Sequence, residues 1–264
     1  MRRASFGLES LNRLVLAVLK TNNDPNSMYG QTVSIMRTAG MDVVKPKSRR
    51  PRGTLVEGGT TDVVADIRFQ RQGDALKNLG EGLIHCAILG RDKLREYQLA
   101  TGDQGEIREV AQLGFGQCTM VMAVDGNSDI QTVADLEDKV IMTSYPAILK
   151  DYLARNGITV KDENIRVREG GIEDYIEEGV ADAVMDITET GSTIKEYGLR
   201  VIDDEIVHSE ICFVASKRAL DLCGQEIADL ATRTEVAAKQ EVTPVMLVVQ
   251  SAQGPAVQEL KIKG

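Results

Sequence analysis

Residues 179–199 read GVADAVMDITETGSTIKEYGL. A short apolar run, Ala181–Met185, stops at Asp186. The stretch Asp186–Thr193 then packs three threonines, a serine and a glycine around two acids, and IKEYGL resumes as a helix start. Strand, polar loop, helix is the unit from which α/β folds are built. In open α/β sheets the carboxyl end of a strand is where ligands bind. Gly191 lets backbone N–H groups approach an anion, Thr190, Ser192 and Thr193 add hydroxyls, and the amino end of the next helix adds favourable potential. Asp186 is unsuited to phosphate but suited to sugar hydroxyls. The pattern therefore points to a ribose 5-phosphate site. The competing reading is an ordinary loop in which Asp186 and the threonines cap the helix.

The same alternation runs along most of the chain. Leu14–Leu19, Gly82–Gly90 (GLIHCAILG), Gln117–Val124, Lys139–Ser144 and Glu210–Ser216 are apolar runs of buried-strand length. Between them, Asp24-Pro25 offers a cap and first-turn proline for a helix that Gly40 ends. A short helix is expected around Thr132–Glu137, another over Tyr145–Gly157, a one-to-two-turn helix over Ile172–Gly179, and a long one to about Gln240. The sheets are expected to be largely parallel. KPKSRRPR, Lys45–Arg52, reads as a solvated basic loop, with a nucleic-acid arm as the sharper alternative. Val245–Val249 is a last apolar run. There is no internal repeat and no low-complexity segment.

Composition narrows the functions. The 264 residues are 42% hydrophobic and 27% charged, with a net charge of −9 and 4% aromatics. An acidic body argues against nonspecific nucleic-acid or anionic-membrane binding, so an anionic ligand calls for a local electropositive pocket. Cys86, Cys118, Cys212 and Cys223 are scattered, mostly in apolar runs, and read as buried thiols rather than a disulfide framework. With no CxxC pair, and with His85 and His208 isolated, no zinc site is expected. The start has a basic tip but too short an apolar run for a signal peptide, and nothing approaches a membrane span, so a cytoplasmic location is expected.

GVADAVMDITETGSTIKEYGL resembles the signature of the ATP phosphoribosyltransferase family, which opens histidine biosynthesis. The resemblance extends to GLIHCAILGRDKL, LGFGQCTMVMAV, TSYPAILKDYLARNGI and EGGIEDYIEEGVAD, covering roughly residues 80–216 in order. It is weaker before residue 80. There Lys20 fits a lysine ending the first strand, and Arg71 and Asp74 sit where the family has an arginine before an acidic turn. Thr119 departs from the usual arginine.

The resemblance implies an α/β fold of two lobes, like type II periplasmic binding proteins, with the active site in the cleft. One lobe would take residues 1–110 plus 195–216 and the second residues 111–194, leaving 217–264 as a C-terminal helix and short tail. It implies transfer of the phosphoribosyl group of 5-phosphoribosyl 1-pyrophosphate to N1 of ATP's adenine, with Mg²⁺ on the departing pyrophosphate. That chemistry needs positioning rather than an enzymatic nucleophile, and no serine or cysteine triad is present. Asp186 is then assigned to the ribose hydroxyls, and Thr188, Glu189, Thr190, Gly191, Ser192 and Thr193 to the 5-phosphate. Glu173 falls near the nucleotide, and Lys20 and Arg71 toward the polyphosphate. Glu241–Gly264, 24 residues, is too short for the regulatory domain of long-form relatives. The resemblance is therefore to the short form, which implies a homo-oligomer with a regulatory partner resembling histidyl-tRNA synthetase. A weakened homologue serving as a regulatory subunit, and an anion-binding module of the same fold, are the alternative readings.

Overall fold

A computed structural model describes residues 13–19, 27–45, 51–168, 170–242, 246–251 and 254–259. Its elements in chain order are β1 (Val15–Leu19), α1 (Met28–Thr38), β2 (Met41–Val44), β3 (Arg52–Glu57), β4 (Val63–Gln70), α2 (Gln72–Gly80), β5 (Cys86–Gly90), α3 (Arg91–Thr101) and β6 (Ile107–Gln112). There follow β7 (Cys118–Asp125), β8 (Ile141–Thr143), α4 (Pro146–Arg155), β9 (Ile165–Val167), α5 (Asp174–Glu177), β10 (Ala183–Thr188), α6 (Ser192–Glu196) and β11 (Leu199–Ser209). The chain continues with β12 (Ile211–Ser216), α7 (Lys217–Val242), β13 (Met246–Ser251) and β14 (Gly254–Glu259).

Two sheets organise the molecule. The first has the order β2-β3-β4-β1-β5-β12-β6 and the second β11-β7-β10-β8-β9, while β13 and β14 pair only with each other. In the first, β1 runs parallel to β4 and β5, whereas β12 runs antiparallel to β5 and β6 and β2-β3-β4 is an antiparallel meander. In the second, β8 is parallel to β10 and β9, and β7 is antiparallel to β10 and β11. The expected largely parallel sheets are thus mixed: parallel centres carry antiparallel flanks.

Every residue of β1, β5 and β12 is buried, as the uninterrupted apolar runs require of strands covered on both faces. Leu16, Ile35, Ile67 and Phe213 form the core on one face of the first sheet, and Leu76, Ile84, Leu89 and Val214 the core on the other. The second sheet has its own cores around Met120, Tyr145, Leu149 and Met185, and around Ile172, Val184 and Met142. Each lobe therefore buries its own apolar surface.

The chain leaves the first sheet after β6 and returns at β12. β11 belongs to the second sheet, so the second lobe's strands span residues 118–209, not 111–194, and the return falls at Glu210 rather than near residue 195. The two crossings are bonded to each other: Leu113 N–H donates to Ile211 C=O at 3.0 Å, and Ile211 N–H to Phe115 C=O at 2.9 Å. Gly116 lies in this ribbon with φ of 60°. A Cβ there would meet Ile211 Cγ1 at 2.8 Å. The expected cap at Asp24-Pro25 lies outside the described residues, and the cap of α1 is Ser27, whose hydroxyl accepts from Gly30 N–H at 3.1 Å.

Candidate functional site

β10 ends in the cleft. Asp186 pairs in register with Val121 of β7, and Thr188 with Thr119. Beyond Thr188 the chain turns sharply, and Gly191 takes φ of 69°. That left-handed region is open to glycine without strain. Nothing lies within 4 Å of a Cβ built at Gly191, so backbone conformation rather than space calls for glycine. Thr188 Oγ1 accepts from Gly191 N–H at 2.9 Å, and Thr190 Oγ1 donates to Ser192 Oγ at 3.0 Å. The loop hydroxyls thus set the turn while staying at the surface.

Asp186, Glu173, Thr188, Glu189, Thr190, Ser192 and Thr193 line one cavity of about 250 Å³. Gly191 lines an adjoining one with Thr119, Lys195 and His208. The structure therefore gathers the acids and the loop that the sequence nominated. Arg71 stands apart: it precedes α2 at the carboxyl end of β4 in the first lobe, is exposed, and lines none of these cavities. Lys20 lies outside the described residues. Two electrostatic expectations change. α6 is only five residues long, so its dipole is small and an anion here depends on loop N–H groups and hydroxyls. No lysine or arginine lines the Asp186 cavity, in place of the expected electropositive pocket.

Burial pushes the Asp186 carboxyl up to about 6, and the charges of Glu173 and Asp92 push the same way. The Ile187 N–H, donating at 2.8 Å, and the Lys93 ammonium pull it back only in part. A carboxylate poised this close to neutrality, in a cavity, is a mark of functional sites.

Facing Asp186 is a polar cluster drawn from both lobes. Asp92, buried at the start of α3, accepts from Tyr145 Oη at 2.6 Å and Ser209 Oγ at 2.8 Å. Ser209 Oγ in turn accepts from the Asp92 N–H at 2.9 Å. Burial, then the Asp92 charge, holds the Tyr145 phenol far above its ordinary value. The Lys93 ammonium sits 3.7 Å from the centre of the Tyr145 ring. Burial, with Asp92 next, raises the Cys118 thiol to about 11, so it is no nucleophile at neutral pH. Arg91 lines a neighbouring cavity with Cys118, Thr119 and His208, but both Glu109 and Glu210 hold its guanidinium. Sequence reading assigned no role to Asp92, Lys93, Tyr145 or Ser209. The signal available was the glycine-bounded GRDKL turn after β5, which ends a buried strand on the cleft edge. All four cysteines are free thiols, and no group of three or more His, Cys, Asp or Glu able to hold a metal occurs among the described residues.

The HisG family model, described as ATP phosphoribosyltransferase, matches residues 71–236. The chain is 34% identical over 152 residues to the ATP phosphoribosyltransferase of Maricaulis maris, covering 58% of this chain and 50% of that protein. It is 30% identical over 194 residues to that of Methanopyrus kandleri, covering 74% of this chain and 63% of the relative. It thus spans from half to just under two thirds of these relatives' length. The fold resembles the ATP phosphoribosyl transferase (HisG:HisZ) complex of Thermotoga maritima, with a TM-score of 0.67 at 19% identity over 86% of this chain and 99% of that one. It also resembles the sulphonate-binding protein SsuA of Escherichia coli, with a TM-score of 0.51 at 17% identity over 87% of this chain and 74% of that one. The second likeness concerns architecture alone.

Proposed function

Because the chain belongs to the ATP phosphoribosyltransferase family, we propose that it joins N1 of ATP's adenine to C1 of 5-phosphoribosyl 1-pyrophosphate, releasing pyrophosphate in the first step of histidine biosynthesis. The observation that carries this reading is one cavity lined by both the Asp186 carboxylate and the Thr188–Thr193 loop. An acid for sugar hydroxyls beside a loop of hydroxyl and N–H donors for phosphate fits a phosphoribosyl group better than a nucleotide base. Asp186 holds the ribose hydroxyls and favours the positive charge that develops at the ring as the C1–O bond breaks. Thr188, Glu189, Thr190, Gly191, Ser192 and Thr193 form the loop around the 5-phosphate, with hydroxyls and N–H groups as donors. Glu173 lies toward the nucleotide. Arg71, at the carboxyl end of β4, is assigned to the polyphosphate, as is Lys20, which lies outside the described residues.

ATP brings the nucleophile, so the protein's work is alignment and exclusion of water. Mg²⁺ would come with the substrate's diphosphate and would supply compensation for the charge on the leaving group. The cytoplasm is the proposed place of action. A homo-oligomer with a regulatory subunit, resembling histidyl-tRNA synthetase, is the proposed assembly, supported by the HisG:HisZ complex among similar structures. Incubation of the purified chain with ATP, 5-phosphoribosyl 1-pyrophosphate and Mg²⁺ tests the reading. A product of the mass of phosphoribosyl-ATP is expected. Ligand binding without product would favour an anion-binding or regulatory role.

A further inference from the structure

Lys93 is a residue that neither the loop motif nor the sequence reading uses. It is the third residue after the last position of buried β5, in the first turn of α3, and so projects from the first lobe toward the second. Its ammonium lies 3.7 Å from the Tyr145 ring centre, with no carboxylate partner within salt-bridge distance among the described residues. Nearby Arg91 is spent on Glu109 and Glu210. Tyr145 is itself fixed, fully buried with its hydroxyl on Asp92 at 2.6 Å, so the ring that carries the ammonium is a rigid seat. A cation on an aromatic face keeps its charge available to a ligand, because the ring attracts it without neutralising it.

The placement fixes which part of a ligand this charge would meet. The inference rests on the reading of Asp186 as the ribose contact and of Thr188–Thr193 as the 5-phosphate contact. C1 and C5 leave opposite ends of a ribose, so a substituent on C1 lies on the side of Asp186 away from the loop. Asp92 and Lys93 line neither of the cavities that the loop lines, yet their charges act on Asp186, which sets them beyond Asp186 from the loop. Of these two, Lys93 is the cation. We infer that Lys93 binds the C1 diphosphate of 5-phosphoribosyl 1-pyrophosphate, reaching it across the cleft from its seat on Tyr145.

The test compares two probes on the full chain, each with Mg²⁺: 5-phosphoribosyl 1-pyrophosphate, and ribose 5-phosphate, which lacks the diphosphate. Lys93→Met keeps the aliphatic contact with Tyr145 and removes the charge, and Lys93→Arg keeps the charge. A charge-assisted hydrogen bond of this kind corresponds to about a ten- to hundredfold effect on affinity. Lys93→Met is expected to lose that much for 5-phosphoribosyl 1-pyrophosphate and nothing for ribose 5-phosphate, with Lys93→Arg restoring most of it. Equal losses for both probes, or no loss for either, would overturn the assignment of Lys93. Failure of the unaltered chain to bind either probe would instead overturn the reading of the Asp186 cavity on which it rests.

Discussion

The fold holds Asp186 against its own ionisation. Its native carboxyl titrates at about 6 against an ordinary 3.8. Between those values the native state holds a proton that the unfolded chain has released. Stability therefore falls as pH rises through this window and levels off above it. Asp186→Asn removes the charge while retaining an acceptor for the Ile187 N–H. That variant is expected to be more stable than the parent by up to about 3 kcal/mol at pH 7.5, with the difference vanishing near pH 3.5. Turnover should fall in the same variant, and the rise of kcat/KM through pH 6, expected for the parent as Asp186 ionises, should disappear. Melting temperature and initial rates across pH check both halves; a variant no more stable at pH 7.5 would show that Asp186 is not held against its own ionisation. Thr190 makes the opposite case, since its hydroxyl is exposed and bonds only within the loop. Thr190→Ala should leave the melting temperature within a degree or two. It should weaken 5-phosphoribosyl 1-pyrophosphate by roughly ten- to a hundredfold, with ATP little affected. Isothermal titration with each substrate separates these outcomes, and equal losses would make the loop purely structural.

Among the elements, α4 is held by a neighbour's side chain rather than by its own cap. Tyr145 at the cap position makes no side-chain cap bond and Pro146 opens the helix. The next two N–H groups, of Ala147 and Ile148, donate to the two carboxylate oxygens of Glu96, each at 2.9 Å. Glu96 belongs to α3, so one carboxylate both caps a helix and joins the lobes. Glu96→Ala is expected to cost about 1–2 kcal/mol in urea unfolding, and Glu96→Gln less, since the amide oxygen satisfies only one of the two donors. No loss for either would mean that solvent caps α4 equally well. This contact also marks where sequence reading runs out. Strands made of nearly unbroken apolar runs, such as β1, β5 and β12, were legible because burial on both faces leaves little other composition. β11 was not: Asp203, Asp204 and Glu205 interrupt it, and its pairing with β7 slips around Asp203, which breaks the two-residue period. The return near residue 195 was what the resemblance implied, and β11, which stays in the second sheet to Ser209, moves it to Glu210. α3 has just two buried residues, Asp92 and Leu94, too few to print a helical stripe. The loop Thr188–Thr193 was readable because its partners are two or three residues away. The Asp92 cluster was not, because its partners lie 53 and 117 residues along the chain.

Across the molecule, the two lobes are tied by the ribbon of Leu113–Gly116 against Ile211. Gly114 and Gly116 both take left-handed φ, at 71° and 60°, yet only Gly116 has a neighbour where a Cβ would go. Gly114→Ala is expected to cost about 1–2 kcal/mol from the backbone alone. Gly116→Ala should cost more, because Ile211 must also shift. Chemical denaturation of the two variants in parallel checks the difference, and equal costs would show that the ribbon yields freely at Ile211. The double crossing has one more consequence, for how the protein is made. A ribosome delivers β1 to β6 first, but the strand that must lie between β5 and β6 is β12, which emerges only after all of the second sheet. The second lobe is thus complete while the first still has an open slot, with the unpaired edge of β5 exposed and its apolar sequence CAILG on offer to other chains. A nascent chain stalled or cut between Ser209 and Ile211 would carry one finished lobe and one sticky one: the lobe begun first is the last to close.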